Sequence, residues 1–267
     1  MISLPVNLTN LQLHSSIRQN EATINGAFNS GRGVGKLVGG IDWKDDLHIK
    51  LNLKGNDLLI RQAPLITAIV DTDISLDARP LSKSITVKGM VDVPSALISM
   101  PESSASVVPL SADVRVVREG DNQLAILKAA KPWDIRADLE LNLGQQVIFQ
   151  GFNSRIPLLG RIYLSQQGLE TAMRASGAIG VSKKVIIEAY GQSLDLNRAI
   201  ARFSGALSNP TLDVDANKTI SGSIVGLRVT GTASSPNIQV YNDAGLSEQE
   251  AMNALITGRI NDGSGSL

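Results

Sequence analysis

Apolar and polar residues alternate with a period of two along most of this chain. Leu47, Ile49, Leu51 and Leu53 are separated by His48, Lys50 and Asn52, so a strand through them has one apolar and one polar face. The same beat returns at Ile66-Ala68-Val70, Ile74-Leu76, Ile85-Val87, Val91-Val93 and Val114-Val116. Its longest run is Trp133-Ile135-Ala137-Leu139-Leu141-Leu143, interleaved with Asp134, Arg136, Asp138, Glu140 and Asn142. Later come Val185-Ile187-Ala189, Leu194-Leu196, Leu212-Val214, Val225-Leu227-Val229 and Ile238-Val240. Turn residues such as Gly120-Asp121-Asn122 and Ser208-Asn209-Pro210 punctuate these runs, which predicts a mainly β fold of antiparallel strands. Strands of six to eight residues would be about 20–26 Å long. No helix-strand alternation suggests a parallel doubly wound sheet.

Two segments carry helical signals. Residues 247–257 start with Ser247 and Glu250 at capping-box spacing, place Met252, Leu255 and Ile256 on one side, and stop at Gly258. Between Asp57 and Ile69, Leu58, Leu59, Leu65 and Ile66 could stripe a short helix, but Pro64 interrupts it. An internal echo links Gly205-Ala-Leu-Ser-Asn-Pro210-Thr-Leu212-Asp-Val214 to Gly231-Thr-Ala-Ser-Ser-Pro236-Asn-Ile238-Gln-Val240. Each copy reads as strand end, proline-set turn and next strand, stacked along one sheet.

Composition narrows the chemistry. The 25 Lys and Arg balance 25 Asp and Glu, which argues against a nucleic-acid-binding surface. Cysteine is absent and His14 and His48 are the only imidazoles, so thiolate catalysis, disulfides and the common Cys/His zinc sites are excluded. Apolar residues make up 43% but aromatics only 3%, so the apolar face is built from Ala, Val, Leu and Ile. No run reaches the roughly 18 apolar residues of a membrane span, and the N-terminus lacks a basic-then-apolar leader, as expected of a soluble protein or a fragment.

Other motifs have plain structural readings. Gly31-Arg-Gly33-Val-Gly35-Lys36 resembles a phosphate loop, but three residues separate Gly31 and Gly35-Lys36 where four are needed, and Leu37 replaces the Ser or Thr. A flexible or bulged strand connection fits it better. Asp71/Asp73 and Asp213/Asp215 share a strand face and could do acid/base work or hold a cation; a solvated outer face is the simpler reading. His48 falls in the lysine-bearing polar register, and Trp133 is expected in the core. Alternation leaves open whether the apolar face meets another sheet, a helix or a lipid.

From about Ile85 to Arg259 the sequence resembles the C-terminal region of the TamB family, which is related to AsmA-like lipid-transport proteins. The matching signals are Val91-Asp-Val93-Pro94-Ser-Ala-Leu-Ile98, Pro101-Glu-Ser, Leu141-Asn-Leu-Gly144, Val147 and Phe149-Gln-Gly151. They continue through Glu188-Ala-Tyr190-Gly191-Gln192-Ser-Leu194, Phe203-Ser-Gly205, Asn209-Pro210-Thr-Leu212, Val225-Gly-Leu-Arg-Val-Thr-Gly-Thr-Ala233, Pro236, Glu250-Ala251 and Gly258-Arg259. Looser similarity to upstream family segments runs from Gly31 to Trp43 and on to Gly55.

The resemblance implies a long curled antiparallel-type sheet, a β-taco, with an aliphatic groove and a short C-terminal helix. It divides the chain into an upstream β-groove segment (1–84), the β-taco region (85–245), the helix (246–260) and a flexible tail (261–267). It implies transport of phospholipid between inner and outer membranes, outer-membrane protein assembly beside a TamA-like barrel partner, and no cofactor. The family's inner-membrane anchor is missing from this chain, and Gly263-Ser-Gly265-Ser-Leu267 stands where the family continues, so a periplasmic fragment is expected. The residues expected to line the groove share the alternating register: Leu47, Leu51, Val87, Val91, Ile135, Leu139, Leu141, Val185, Ile187, Leu212, Val214, Leu227 and Val229. The alternative is an assembly adaptor that pairs an open sheet edge with client or barrel strands. An enzyme would instead gather His48 or the Asp pairs in a polar pocket.

Overall fold

The computed structural model describes residues 7–99, 132–169, 172–189 and 191–260. The expected Val114-Val116 strand, the turn at Gly120-Asp121-Asn122, Pro101-Glu-Ser, Tyr190 and the 261–267 tail lie outside the described residues. The rest forms one sheet of 14 strands. Its first half comprises β1 (Thr9–Arg18), β2 (Glu21–Ser30), β3 (Gly33–Asp42), β4 (His48–Gln62), β5 (Ile66–Arg79) and β6 (Ser84–Ser99). The second comprises β7 (Asp134–Gly151), β8 (Ser154–Gln166), β9 (Arg174–Val181), β10 (Val185–Ala189), β11 (Gln192–Ala206), β12 (Thr211–Ile220), β13 (Ser223–Thr232) and β14 (Ser235–Asn242). A helix, α1 (Glu248–Thr257), follows. Sheet order follows chain order from β1 to β14, with β9 and β10 together flanking β11, and the two edges do not meet.

Three features differ from expectation. The strands are longer: β6 has 16 residues and β7 has 18, about 50–60 Å at roughly 3.3 Å per residue. Ile85-Val87 and Val91-Val93 belong to one strand because Gly89 continues the ladder opposite Leu139 rather than ending it. The second is that β6 and β7 are parallel, so the sheet is mixed: Ser84 lies opposite Asp134, and the chain re-enters beside the start of β6. Finally, Asp57 to Ile69 is not helical. A bulge between Gly55 and Leu58 shifts the register by one residue, hiding the period-two pairing of Leu58 with Val70 and Ile60 with Ala68. Pro64 lies in the tight turn that follows, where Leu65 donates to the carbonyl of Gln62 at 2.9 Å.

Residues opposite one another in a sheet project to the same side, so the registers define two faces. One is almost wholly apolar. Its most protected parts lie toward the end holding the Gly31 and Pro64 turns. In the first, Phe28, Leu58, Ala68, Val70, Val93 and Val147 form a buried cluster flanked by Ile60, Ile66, Ile98, Leu143 and Leu158. The second contains Ile156, Leu194, Leu196, Ala216, Ile220 and Val225, covered by Ala251, Ala254 and Leu255 of α1. Val147, Val225 and Leu194 are 0–1% exposed. In the first cluster the packing partners come from the same face of the same sheet. Side chains of one face exclude water from each other when the sheet curls toward that face, as a twisted open sheet does.

Candidate functional site

The candidate site is the apolar face itself. One row runs unbroken from Val93 through Leu143, Gly160, Ile179 and Ala201 to Leu212, linking both halves of the sheet. Above it Thr72, Val91, Leu141, Ile162, Gly177 and Phe203 form a second row. Gly177 (φ 117°) is pressed against its neighbour: a Cβ there would sit 2.3 Å from the Arg161 carbonyl oxygen, so the strands approach too closely for a side chain.

The registers bring the sequence-predicted residues onto this face in two groups. Leu51 stands opposite Leu76, Val87 opposite Ala137, Ile135 opposite Ile85, and Leu139 opposite Leu164, with Val91 and Leu141 in the row already described. Leu47 lies one residue before β4, outside the ladder, and is half-buried. In the second group Val185, Leu196, Ala216, Leu227 and Val240 form one row, Ile187 faces Leu194, and Val214, Val229 and Ile238 form another. Leu212 joins the two groups through the long row.

Cover differs between the groups. Val185, Ile187, Val214 and Leu227 pack against the cluster that α1 closes. Toward the opposite end, the buried apolar residues are the small Ala22, Ala78, Ala137 and Ala175, whereas Ile49, Leu51, Leu76, Ile85, Val87 and Leu139 are only partly buried. Ile135 is 36% exposed. Trp133 is not in the core as expected; it precedes β7 and is 41% exposed, because this end of the face has no cover among the described residues. Among the described residues the apolar face is thus capped at one end and open at the other.

α1 is built for its place. Ser247 caps it, with its backbone N–H and hydroxyl both donating to Glu250 Oε2 at 2.9 and 2.7 Å while its Oγ accepts from the Glu250 N–H. These bonds hold the Glu250 carboxyl below its ordinary pKa. At the other end Gly258 (φ 71°) closes the helix with an N–H bond to the Ala254 carbonyl at 2.8 Å.

Polar chemistry sits on the opposite face. Lys54 pairs with Asp73 at 3.0 Å, Arg161 with Glu140 at 3.1 Å, and His48 Nε2 with Asp77 at 2.9 Å. Asp71 accepts from the Asp57 N–H at 2.7 Å, satisfying the bulge. Asp213 lies against Arg198 and Arg202, and Asp215 against Arg228, so these carboxylates face guanidinium groups rather than each other. The Tyr241 hydroxyl donates to Asp215 at 3.1 Å, and Arg228 lies 5.1 Å from the Tyr241 ring centre. Burial is the main cause raising the Tyr241 pKa. Shallow depressions of about 650 and 460 Å³ on the polar face share Thr86 and Lys88.

The glycine-rich segment is structural. Gly31 (φ 62°) and Arg32 turn the chain between Ser30 and Gly33, and Phe28 lies over Gly35 so closely that an added Cβ would be 2.2 Å from the ring. The sequence echo is a pair of neighbouring turns: Asn209 Oδ1 accepts from the Ser234 N–H, and the Pro210 carbonyl accepts from the Ala233 N–H, both at 2.9 Å.

One residue escaped the sequence reading. Lys218 stands in the apolar register between Ala216 and Ile220, opposite Val225, whereas the other charged residues paired in the described strands face the polar side. The bulge between Leu196 and Arg198 leaves Leu196 opposite Ala216 and Ala199 opposite Val214, and that register fixes the side to which β12 turns each residue. Alternation through Leu212 and Val214, carried four residues further past Ala216, flags the lysine.

Among the described residues, a single unclosed mixed sheet with a continuous apolar face, uncovered at one end and capped by a helix at the other, defines the class of protein. The model of the TamB C-terminal domain matches residues 21–267, and the chain belongs to this family. It is also 25% identical over 280 residues to the translocation and assembly module subunit TamB of Haemophilus influenzae, across 99% of this chain and 21% of that protein. The chain therefore spans about a fifth of the length of that relative.

Proposed function

We propose that this chain is a periplasmic segment of a translocation and assembly module, and that its apolar face shields phospholipid acyl chains passing between the inner and outer membranes. The observation that carries the reading is the continuity of the apolar rows from β4 to β13, combined with large aliphatic side chains left half-covered in the open half. Removing about 15 methylenes from water is worth about 12 kcal/mol, but a lipid leaving a bilayer exchanges one apolar environment for another. The face need only match the membrane, and aliphatic side chains without fixed polar partners let a chain slide. One leaflet is about 15 Å of hydrocarbon, well within the length of β6 or β7. In this reading the protein is not an enzyme, the direction of flow comes from elsewhere, and a TamA-like barrel is the outer-membrane partner in protein assembly.

Leu139→Asp places a charge in the middle of the open half and is expected to abolish co-purification of phospholipid, read by native mass spectrometry, while circular dichroism keeps its β signature. Lys54→Ala on the polar face is the control and is expected to retain lipid. Equal lipid occupancy in Leu139→Asp and wild type would overturn the reading.

A second reading has its own observation. Among the described residues β1 is an edge strand, with Leu11, Leu13 and Ile17 each 60% exposed or more. Such an edge can add a strand from a client or barrel protein. Backbone exchange protection at β1 on adding a barrel partner, without lipid in the complex, would favour this adaptor role.

A further inference from the structure

Lys218 is the one charged residue paired on the apolar face among the described strands. Its ammonium donates to Gln192 Oε1 at 2.8 Å, and no carboxylate pairs with it among the described residues. Gln192 Nε2 donates onward to the Ile256 carbonyl, in the last turn of α1, at 3.2 Å. That turn contains no basic residue, so Gln192 relays the Lys218 charge to the negative end of the helix. The same helix presses Ala251, Ala254 and Leu255 onto Leu194, Ile220 and Val225. Polar latch and apolar contact therefore hold α1 on one short strip at the capped end of the face.

We propose that α1 is a displaceable stopper, and that an anionic amphiphile competes with it for this strip. The tail takes the strip under Ala251, Ala254 and Leu255, and the anionic head takes the Lys218 ammonium from Gln192. This rests on the acyl-chain reading above and adds the site and charge at which that reading becomes selective.

Three physical points support it. A helix of ten residues is shorter than the roughly 12–15 that persist alone in water, so α1 is kept in place by its docking. Exchange of helix for tail replaces one set of apolar contacts with another of the same kind, leaving little net preference. The charge then decides, because an ammonium gains more from an anion than from a neutral amide oxygen. A neutral amphiphile lacks that gain, and a free anion lacks the tail that removes the helix.

The test is amide hydrogen exchange across residues 251–258 of the whole chain, with dodecyl phosphate, dodecyl maltoside or inorganic phosphate, both detergents below their micelle concentrations. Dodecyl phosphate at saturation is expected to speed exchange in α1 at least about tenfold, dodecyl maltoside at the same concentration much less, and inorganic phosphate not at all. Lys218→Gln is expected to weaken dodecyl phosphate binding about tenfold and leave dodecyl maltoside unchanged, with Lys218→Arg restoring affinity. Should Lys218→Gln fail to fold, the contrast between the two detergents on the wild-type chain decides. Protection of α1 that persists with dodecyl phosphate bound, equal release by both detergents, or release by inorganic phosphate alone would each overturn the stopper. A diazirine-tailed dodecyl phosphate separates the two readings. Adducts at Leu139 with α1 still protected would remove the stopper and leave the acyl track standing, whereas α1 release without adducts at Leu139 would count against the track.

Discussion

Asn142 donates a 2.8 Å hydrogen bond to Asp92 across the parallel strands β6 and β7. The two residues belong to separate family-like segments, Val91-Asp-Val93-Pro94 and Leu141-Asn-Leu-Gly144, which lie side by side in register. Pro94, which has no N–H to give, sits at the irregularity after Val93, where a Cβ on Gly144 would come within 3.0 Å of its backbone. Two dispersed sequence signals are thus one structural joint, where the sheet accepts a parallel strand. Asn142→Asp removes the donor and sets two carboxylates against each other. It is expected to lower stability by about 1–2 kcal/mol in urea unfolding, with partial recovery above 0.5 M salt.

The glycine-rich turn is expected to matter for packing alone. Gly35→Ala drives a methyl into the Phe28 ring and should cost about 1–3 kcal/mol of stability. Adding Phe28→Ala should make the second substitution cheaper than it is alone, a non-additivity measured by a double-mutant cycle. Calorimetric titration with ATP is expected to give no binding heat in any of these proteins.

The difference in cover between the ends of the apolar face has an energetic signature. Leu194→Ala, at a site 1% exposed, should destabilise by about 2–5 kcal/mol. Leu51→Ala, on the half-covered part, should cost clearly less, and loss of the exposed Lys54–Asp73 pair through Lys54→Ala less than about 1 kcal/mol. Denaturant midpoints at constant slope would rank the three.

The helix cap links α1 to pH. Ser247→Ala should loosen the first turn by about 1 kcal/mol. The folded-state pKa of Glu250 is depressed, so its stabilisation is present above the ordinary carboxylate range and is lost as pH falls through that range and past the depressed value. Amide resonances of 248–252 followed by NMR are expected to show fraying on acidification, and Glu250→Gln should remove this acid-sensitive step.

Much of this was legible in the sequence. The alternation assigned Leu51, Val87, Leu141, Leu227 and their neighbours to a common side, and the capping box located α1 to within a residue. What was hidden follows from bulges and from pairing at a distance. The bulge after Gly55 made a strand look like a broken helix, and Gly89 made one long strand look like two. The parallel joint depends on where the chain returns at Asp134, which no local pattern encodes. Trp133 departs from expectation because hydrophobicity reports a preference for burial and cannot say which end of a face lacks cover among the described residues. Lys218 stays hidden when the alternation is followed only from Leu212 to Val214, two steps short of it.

The central claim is that acyl chains lie on the apolar face of the sheet. Photoreactive residues at Leu51, Val87 and Leu139, compared with Asn52 and Lys88 on the polar side of the same strands, test it most directly in cells. Phospholipid adducts identified by mass spectrometry are expected from the first three positions and absent from the other two. Adducts that are equal on both faces, or absent from Leu51, Val87 and Leu139, would contradict it.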